Sequence, residues 1–132
     1  MTEDIVPYGL ASRLEQAGYI QKNVIFGDQE FMYRDGDLTK GNEGAKRYFK
    51  SHDCELVIAP SYDQVFRWLR LEHRIQVDVH SHTLDRGEFK DYHYKIWDNK
   101  GGRWELDHRD GVDTWEEARL RCLDHCIKII IG

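Results

Sequence analysis

The chain has 132 residues, a length at which one domain buries a core without disulfide or metal staples. Hydrophobic residues at 40% and charged residues at 33%, with 11 Gly and 2 Pro, exclude collagen-like and disordered chains. The net charge is −5 and neither half is basic: residues 1–60 hold 7 Lys and Arg against 10 Asp and Glu, and residues 61–132 hold 12 against 14. That balance disfavours nucleic acid as a partner.

The first eleven residues, MTEDIVPYGLA, are acidic and lack the basic start and apolar run of a signal peptide. PYGLASRLEQAGY then predicts a helix. Pro7 suits its first position, Tyr8, Ala11 and Leu14 fall at helical spacing, and Gly18 stops it. NVIFGDQEFMYRDGD alternates around a Gly-Asp-Gln turn, so Val24 and Phe26 are expected to pair against Phe31 and Tyr33 in a small hairpin. The Gly, Asn and Asp content of 35–53 predicts a loop with one helical turn at Ala45–Phe49.

From Glu55 the pattern sharpens. ELVIAP is a short extended run closed by Pro60. Ser61 and Gln64 form a capping box before a helix with Tyr62, Val65, Phe66 and Leu69 on one face. RIQVDVHSH alternates, with Ile75, Val77 and Val79 inward and Gln76, Asp78 and His80 outward. DYHYKIWD places Tyr92, Tyr94 and Ile96 inward and His93, Lys95 and Trp97 outward. DNKGG is a hairpin turn, and RWELD is a third strand with Trp104 and Leu106 inward. Thr114, with Glu117 three residues on, caps a last helix running to Ile130.

The order from Ser61 is α-β-β-β-α. The expectation is a single α+β domain over 1–132: an N-terminal helix, hairpin and loop in 1–54, and a core in 55–132. That core is a three-stranded antiparallel sheet packed on two helices. Phe66, Leu69, Val77, Val79, Tyr94, Trp104, Ala118, Cys122 and Cys126 are its expected centre. No apolar stretch approaches the roughly 18 residues of a membrane span. The three cysteines, Cys54, Cys122 and Cys126, are too few and odd for a disulfide framework. A cytoplasmic protein without membrane attachment is the expectation.

Cys122 and Cys126 share the centre of the apolar stripe of the last helix with Trp115, Ala118, Ile129 and Ile130. They are read as core filler. A zinc site would need two ligands besides the thiolates; His125 could join Cys122 across one helical turn, but no CxxC or HxxxH elsewhere offers the other half. His80, His82 and His93, near Asp78, Glu105 and Asp107, are the metal-ligand candidates on the polar sheet face. Lys95, Trp97 and Arg103 are the nucleic-acid candidates, because an aromatic among cations can stack a base. The order α-β-β-β-α is also that of the double-stranded RNA-binding domain, but carboxylates at 113, 116 and 117 stand where that module meets phosphate.

VPYGLASRLEQAGY, APSYDQVFRWLRLEHRIQVDV, YHYKIWDNK and TWEEARLRCLDHCIKII together resemble small uncharacterised proteins of phages and prophages in Bacteroides-type gut bacteria. The resemblance spans nearly the whole chain outside Asp35–Asp53. It implies a compact α+β accessory protein and carries over no catalytic residue. The leading expectation is a non-enzymatic binding domain with a protein partner and no cofactor. A nucleic-acid-binding module and a metal-dependent enzyme are the alternatives.

Overall fold

The computed structural model describes residues 4–19, 23, 25–26, 29–98 and 105–131, with backbone alone at Phe26 and 105–110. The fold is α+β, with four helices and two antiparallel sheets among these residues. The chain divides into two compact units, Met1–Val65 and Phe66–Gly132. No helix is long and apolar enough to cross a membrane among the described residues.

In the first unit, α1 (Tyr8–Gln16) starts from Pro7, which sits one position earlier than expected, as the cap. Gly18, at φ +101°, ends it: the amides of Gly18 and Tyr19 donate back to the carbonyls of Glu15 and Leu14. That reversal needs a left-handed residue, which glycine supplies without strain. The sheet comprises β1 (Ile25–Phe26), β2 (Gln29–Arg34), β3 (Asp37–Gly41) and β4 (Leu56–Ile58). β2 is central, with β3 on one edge and β1 and β4 sharing the other. A hairpin joins β1 to β2, but not in the expected pairing: Phe26 is opposite Gln29 and Ile25 opposite Glu30, while Tyr33 pairs with Leu38 and Val57; Val24 lies outside the described residues.

Residues 35–53 are not the expected loop. β3 and α2 (Glu43–Ser51) occupy most of that stretch. Asp35 and Gly36 have φ of +51° and +89°, the two-residue turn that matches strand twist, and Arg34 pairs with Asp37 across it. Asn42 then accepts from the Ala45 amide at 2.9 Å and caps α2. β3 has no strong apolar pattern of its own, and α2 is amphipathic yet buries no residue fully. β3 is held by its ladder to β2, and the guanidinium of Arg34 lies over the Phe49 ring of α2 at 4.8 Å.

Side-chain bonds to backbone tie this unit together. The buried Tyr33 hydroxyl donates to the Val6 carbonyl at 2.6 Å, and Asn23 accepts from the Ala59 amide at 2.7 Å. Asn23 and Lys46 each donate to Glu30 at 2.5 Å. Burial pushes the Glu30 carboxyl up, and the bonds from Lys46 and Asn23 outweigh it, holding the group below the ordinary carboxylate range.

α3 (Tyr62–Glu72) begins at the expected capping box. The Gln64 amide donates to Ser61 Oγ at 3.1 Å, and the Ser61 amide donates to Gln64 Oε1 at 2.8 Å. In the second unit, β5 (Ile75–Thr83), β6 (Phe89–Asp98) and β7 (Glu105–Val112) form the three-stranded antiparallel sheet in the order β5-β6-β7. β7 runs to Val112, well beyond the expected Asp107. Trp104 and most of the expected DNKGG turn lie outside the described residues.

α4 (Trp115–Ile131) packs on this sheet and is capped by Thr114, whose Oγ1 accepts from the Glu117 amide at 3.1 Å. Cys122 and Cys126 are buried, as are Leu69, Tyr94 and Ala118. Phe66, Val77 and Val79 are half-buried and do not belong to the closed core. The buried side of α4 is turned from the expected stripe: Arg119, Leu123 and Ile127 join the cysteines, while Trp115 and Ile129 are exposed. Arg119 survives burial with its guanidinium 4.5 Å over the Trp115 ring.

The Cys122 thiol is raised far above the ordinary thiol range, first by its bond with Cys126 and then by burial. Neither buried thiol is expected to react with a thiol reagent in the native protein, and all three cysteines should react in denaturant; fast native labelling at Cys126 would contradict the packing. Glu30 yields a pH prediction. A depressed carboxyl stabilises the fold above its unfolded value near 4.5 and loses that contribution as pH falls through the folded value. Glu30→Gln should therefore cost about 1 kcal/mol at neutral pH, with the gap from wild type closing in acid denaturation titrations below about pH 4.5.

Candidate metal centre on the open sheet face

Strand alternation sorts the second unit's sheet into two faces. Tyr94 and Ile96 are buried toward α4, where the Tyr94 hydroxyl bonds His125 Nδ1. The opposite face carries the residues between them. His80 pairs with His93, His82 with Asp91, Asp78 with Lys95 and Gln76 with Trp97. Directly paired residues share a face, so two histidines from β5 and a histidine and a carboxylate from β6 stand at four corners of one patch.

Three of these corners draw together. His93 Nε2 lies 3.0 Å from Asp91 Oδ1, and His82 Nδ1 lies 3.4 Å from the same oxygen. The two imidazoles stack at 4.7 Å with planes 16° apart. One donor atom from each residue lies within 4.8 Å of the others. Bond lengths of about 2.0–2.1 Å in a tetrahedral zinc site put donors about 3.3 Å apart, so two of the three edges are already near the required length. The side chains of His93 and Asp91 are 13% and 17% exposed, and that of His82 is 44% exposed.

The electrostatics favour a cation at this point. His82 Nδ1 and Asp91 Oδ1 are shielded from solvent, and neither makes a hydrogen bond among the described residues despite their proximity. Their separation is short enough for one; their angles are not. Buried polar atoms left this way cost about 1–3 kcal/mol each, and a shared ion on the open side satisfies both.

The backbone makes room for the carboxylate. Between the pairs Tyr92–Val112 and Tyr94–His108, β7 fits Arg109, Asp110 and Gly111 against the single residue His93. This bulge brings Gly111 against Asp91: a methyl group at 111 would lie 2.7 Å from Asp91 Cβ and closer still to its carboxylate. β5 has its own irregularity between His82 and Thr83. Bulges at such positions re-aim side chains.

Of the expected metal candidates, His82 and His93 are brought together. His80 stands beside them, with its ring 6.0 Å from that of His93 and its Nδ1 3.1 Å from Asp78 Oδ2, outside the three-donor group. Asp91 takes the third place. Its signal was the alternation already used for Tyr92 and Tyr94, which puts Asp91 on the His93 face. Gly111 carried no such signal, because the expected third strand ends at Asp107 and only the structure extends it to Val112. Among the nucleic-acid candidates, Lys95 and Trp97 share this face. Lys95 has Asp78 and Asp107 as register partners, Trp97 is half-buried, and Arg103 lies outside the described residues. His125 Nδ1 is hydrogen-bonded with the Tyr94 hydroxyl, and neither His125 nor the buried cysteines belong to the three-donor group found among the described residues.

No protein-family model, curated protein or solved structure matches the chain.

Gly111→Ala is expected to cost about 1–3 kcal/mol by overpacking, with at least half of that recovered in an Asp91→Gly background. Urea denaturation of the four proteins measures the coupling; equal costs in both backgrounds would place the carboxylate elsewhere.

Proposed function

We propose that this protein is a metal-binding α+β domain. Its site is a single divalent first-row ion, zinc foremost, held by His82, Asp91 and His93 on the open sheet face. The observation that carries the reading is the convergence of three donor atoms from two paired strands, two of them shielded and without a hydrogen bond among the described residues. Two imidazoles and one carboxylate suit zinc and its first-row neighbours rather than calcium or magnesium, which prefer all-oxygen shells. Three protein ligands leave one position open, the pattern of a working site rather than a closed structural one.

The reading takes up the metal alternative from the sequence and exchanges His80 for Asp91. The binding role with a protein partner, in a phage accessory setting, belongs to the same proposal. What supports that setting is the resemblance of the four segments. The nucleic-acid alternative gains less, because Asp78 and Asp91 share the face with Lys95 and Trp97.

Calorimetric titration with zinc should show one site per chain. Asp91→Asn and His93→Ala should each weaken binding at least about tenfold while leaving the circular dichroism spectrum unchanged. A chain that takes up no zinc, or binds it equally after both substitutions, would overturn the reading.

A further inference from the structure

We infer that β5 is a docking edge for a second copy of this chain. The two β5 strands pair antiparallel about Val79 and join their three-stranded sheets into one continuous sheet. Metal binding is not required for this pairing.

Among the described residues β6 is the only strand paired with β5, so the other side of β5 presents unpaired backbone donors and acceptors. The other strands that border a sheet are short or interrupted. β1, β3 and β4 have two, five and three residues, and β3 carries the exposed Lys40. β7, the opposite edge of the same sheet as β5, bulges at Arg109, Asp110 and Gly111. Short strands, bulges, prolines and lysines keep edges from pairing. β5 has nine residues and no proline, lysine or arginine, and its own irregularity falls at the far end, between His82 and Thr83.

The core is also open along this strand. Val77 and Val79 are half-buried, whereas their register partners on β6, Ile96 and Tyr94, are 0% and 1% exposed. A further strand alongside β5 covers the two valines if it brings an apolar side chain to the same face. A second β5 does so: pairing centred on Val79 sets Val79 beside Val79, with Val77 diagonal to it.

The side chains on the open face favour the same register. Val79 is the middle of the strand, so centring there engages every residue from Ile75 to Thr83. Residues of like parity then face each other, and the outward amides of one copy meet the outward carbonyls of the other. Asp78 of each copy faces His80 of the other, an imidazole N–H against a carboxylate, and Gln76 faces His82. Centring on Asp78 instead would oppose two carboxylates, which destabilises a strand pair. Within one chain Asp78 and His80 lie 3.1 Å apart without a hydrogen bond at His80 Nδ1 among the described residues, and their side chains are 57% and 41% exposed. Neither gives up a hydrogen bond with the other by pairing across the edge. The result is a two-fold symmetric interface in which one strand serves both partners.

The test is sedimentation equilibrium of the full chain in EDTA. Expected is twice the 15.7 kDa chain mass. His80→Asp opposes carboxylates at both symmetry-related pairs and should weaken association at least about tenfold. Adding Asp78→Lys to His80→Asp restores the attraction and should return the dimer. Isotope-filtered NMR on a mixture of labelled and unlabelled wild-type chain should give contacts between Asp78 of one copy and His80 of the other, a readout that no substitution disturbs. A monomer at every concentration, a dimer only with zinc, a dimer indifferent to His80→Asp, a folded double variant that stays monomeric, or intermolecular contacts confined to other strands would overturn this inference.

Discussion

The antiparallel register of β5 and β6 is the constraint on which the site depends. Strand side chains alternate with a period of two, so a pairing that sets Val77 against Ile96 also sets His80 against His93 and His82 against Asp91. The buried Tyr94 and Ile96 hold that register, because a slip of one residue would expose them and carry the imidazoles into the core. The polar patch and the apolar face are two sides of one packing decision. Burial of Cys122 and Cys126 against the sheet is therefore part of how the histidines are presented.

Register alone does not bring donor atoms into ligand distance. Opposed residues on flat strands keep their side chains parallel, and the two irregularities alter this locally. β7 carries extra length opposite His93, Gly111 supplies empty volume, and the Asp91 carboxylate fills it beside the two stacked rings. The result is a carboxylate mostly withdrawn from solvent beside an imidazole that remains nearly half open. A site of this kind is shaped from behind and approached from the front.

The first unit uses a different economy. Its strands are short, and α2 buries no residue fully. Its apolar core, with Val6, Leu14, Tyr19, Met32 and Val57 buried, is supplemented by polar side chains: Tyr33 on the Val6 carbonyl, Asn23 on the Ala59 amide, and Glu30 between Asn23 and Lys46. Each satisfies a polar group that packing would otherwise strand.

Local sequence determined a good deal. Gly18 ended α1, Ser61 and Gln64 opened α3, Thr114 opened α4, and alternation from Ile75 to Asp98 named both faces of the sheet; these signals act within a few residues and need no partner. The same local chemistry acts at Asp35-Gly36 and Asn42, where turn and cap residues outweigh weak hydrophobicity. Tertiary structure alone decided the rest. Which of three histidines would share a carboxylate depended on where β7 bulged. Which side of α4 was buried depended on where the sheet ended, leaving Trp115 and Ile129 exposed and enclosing Arg119. Distances between donors on different strands are set by packing and register, and those arise from contacts far apart in the chain.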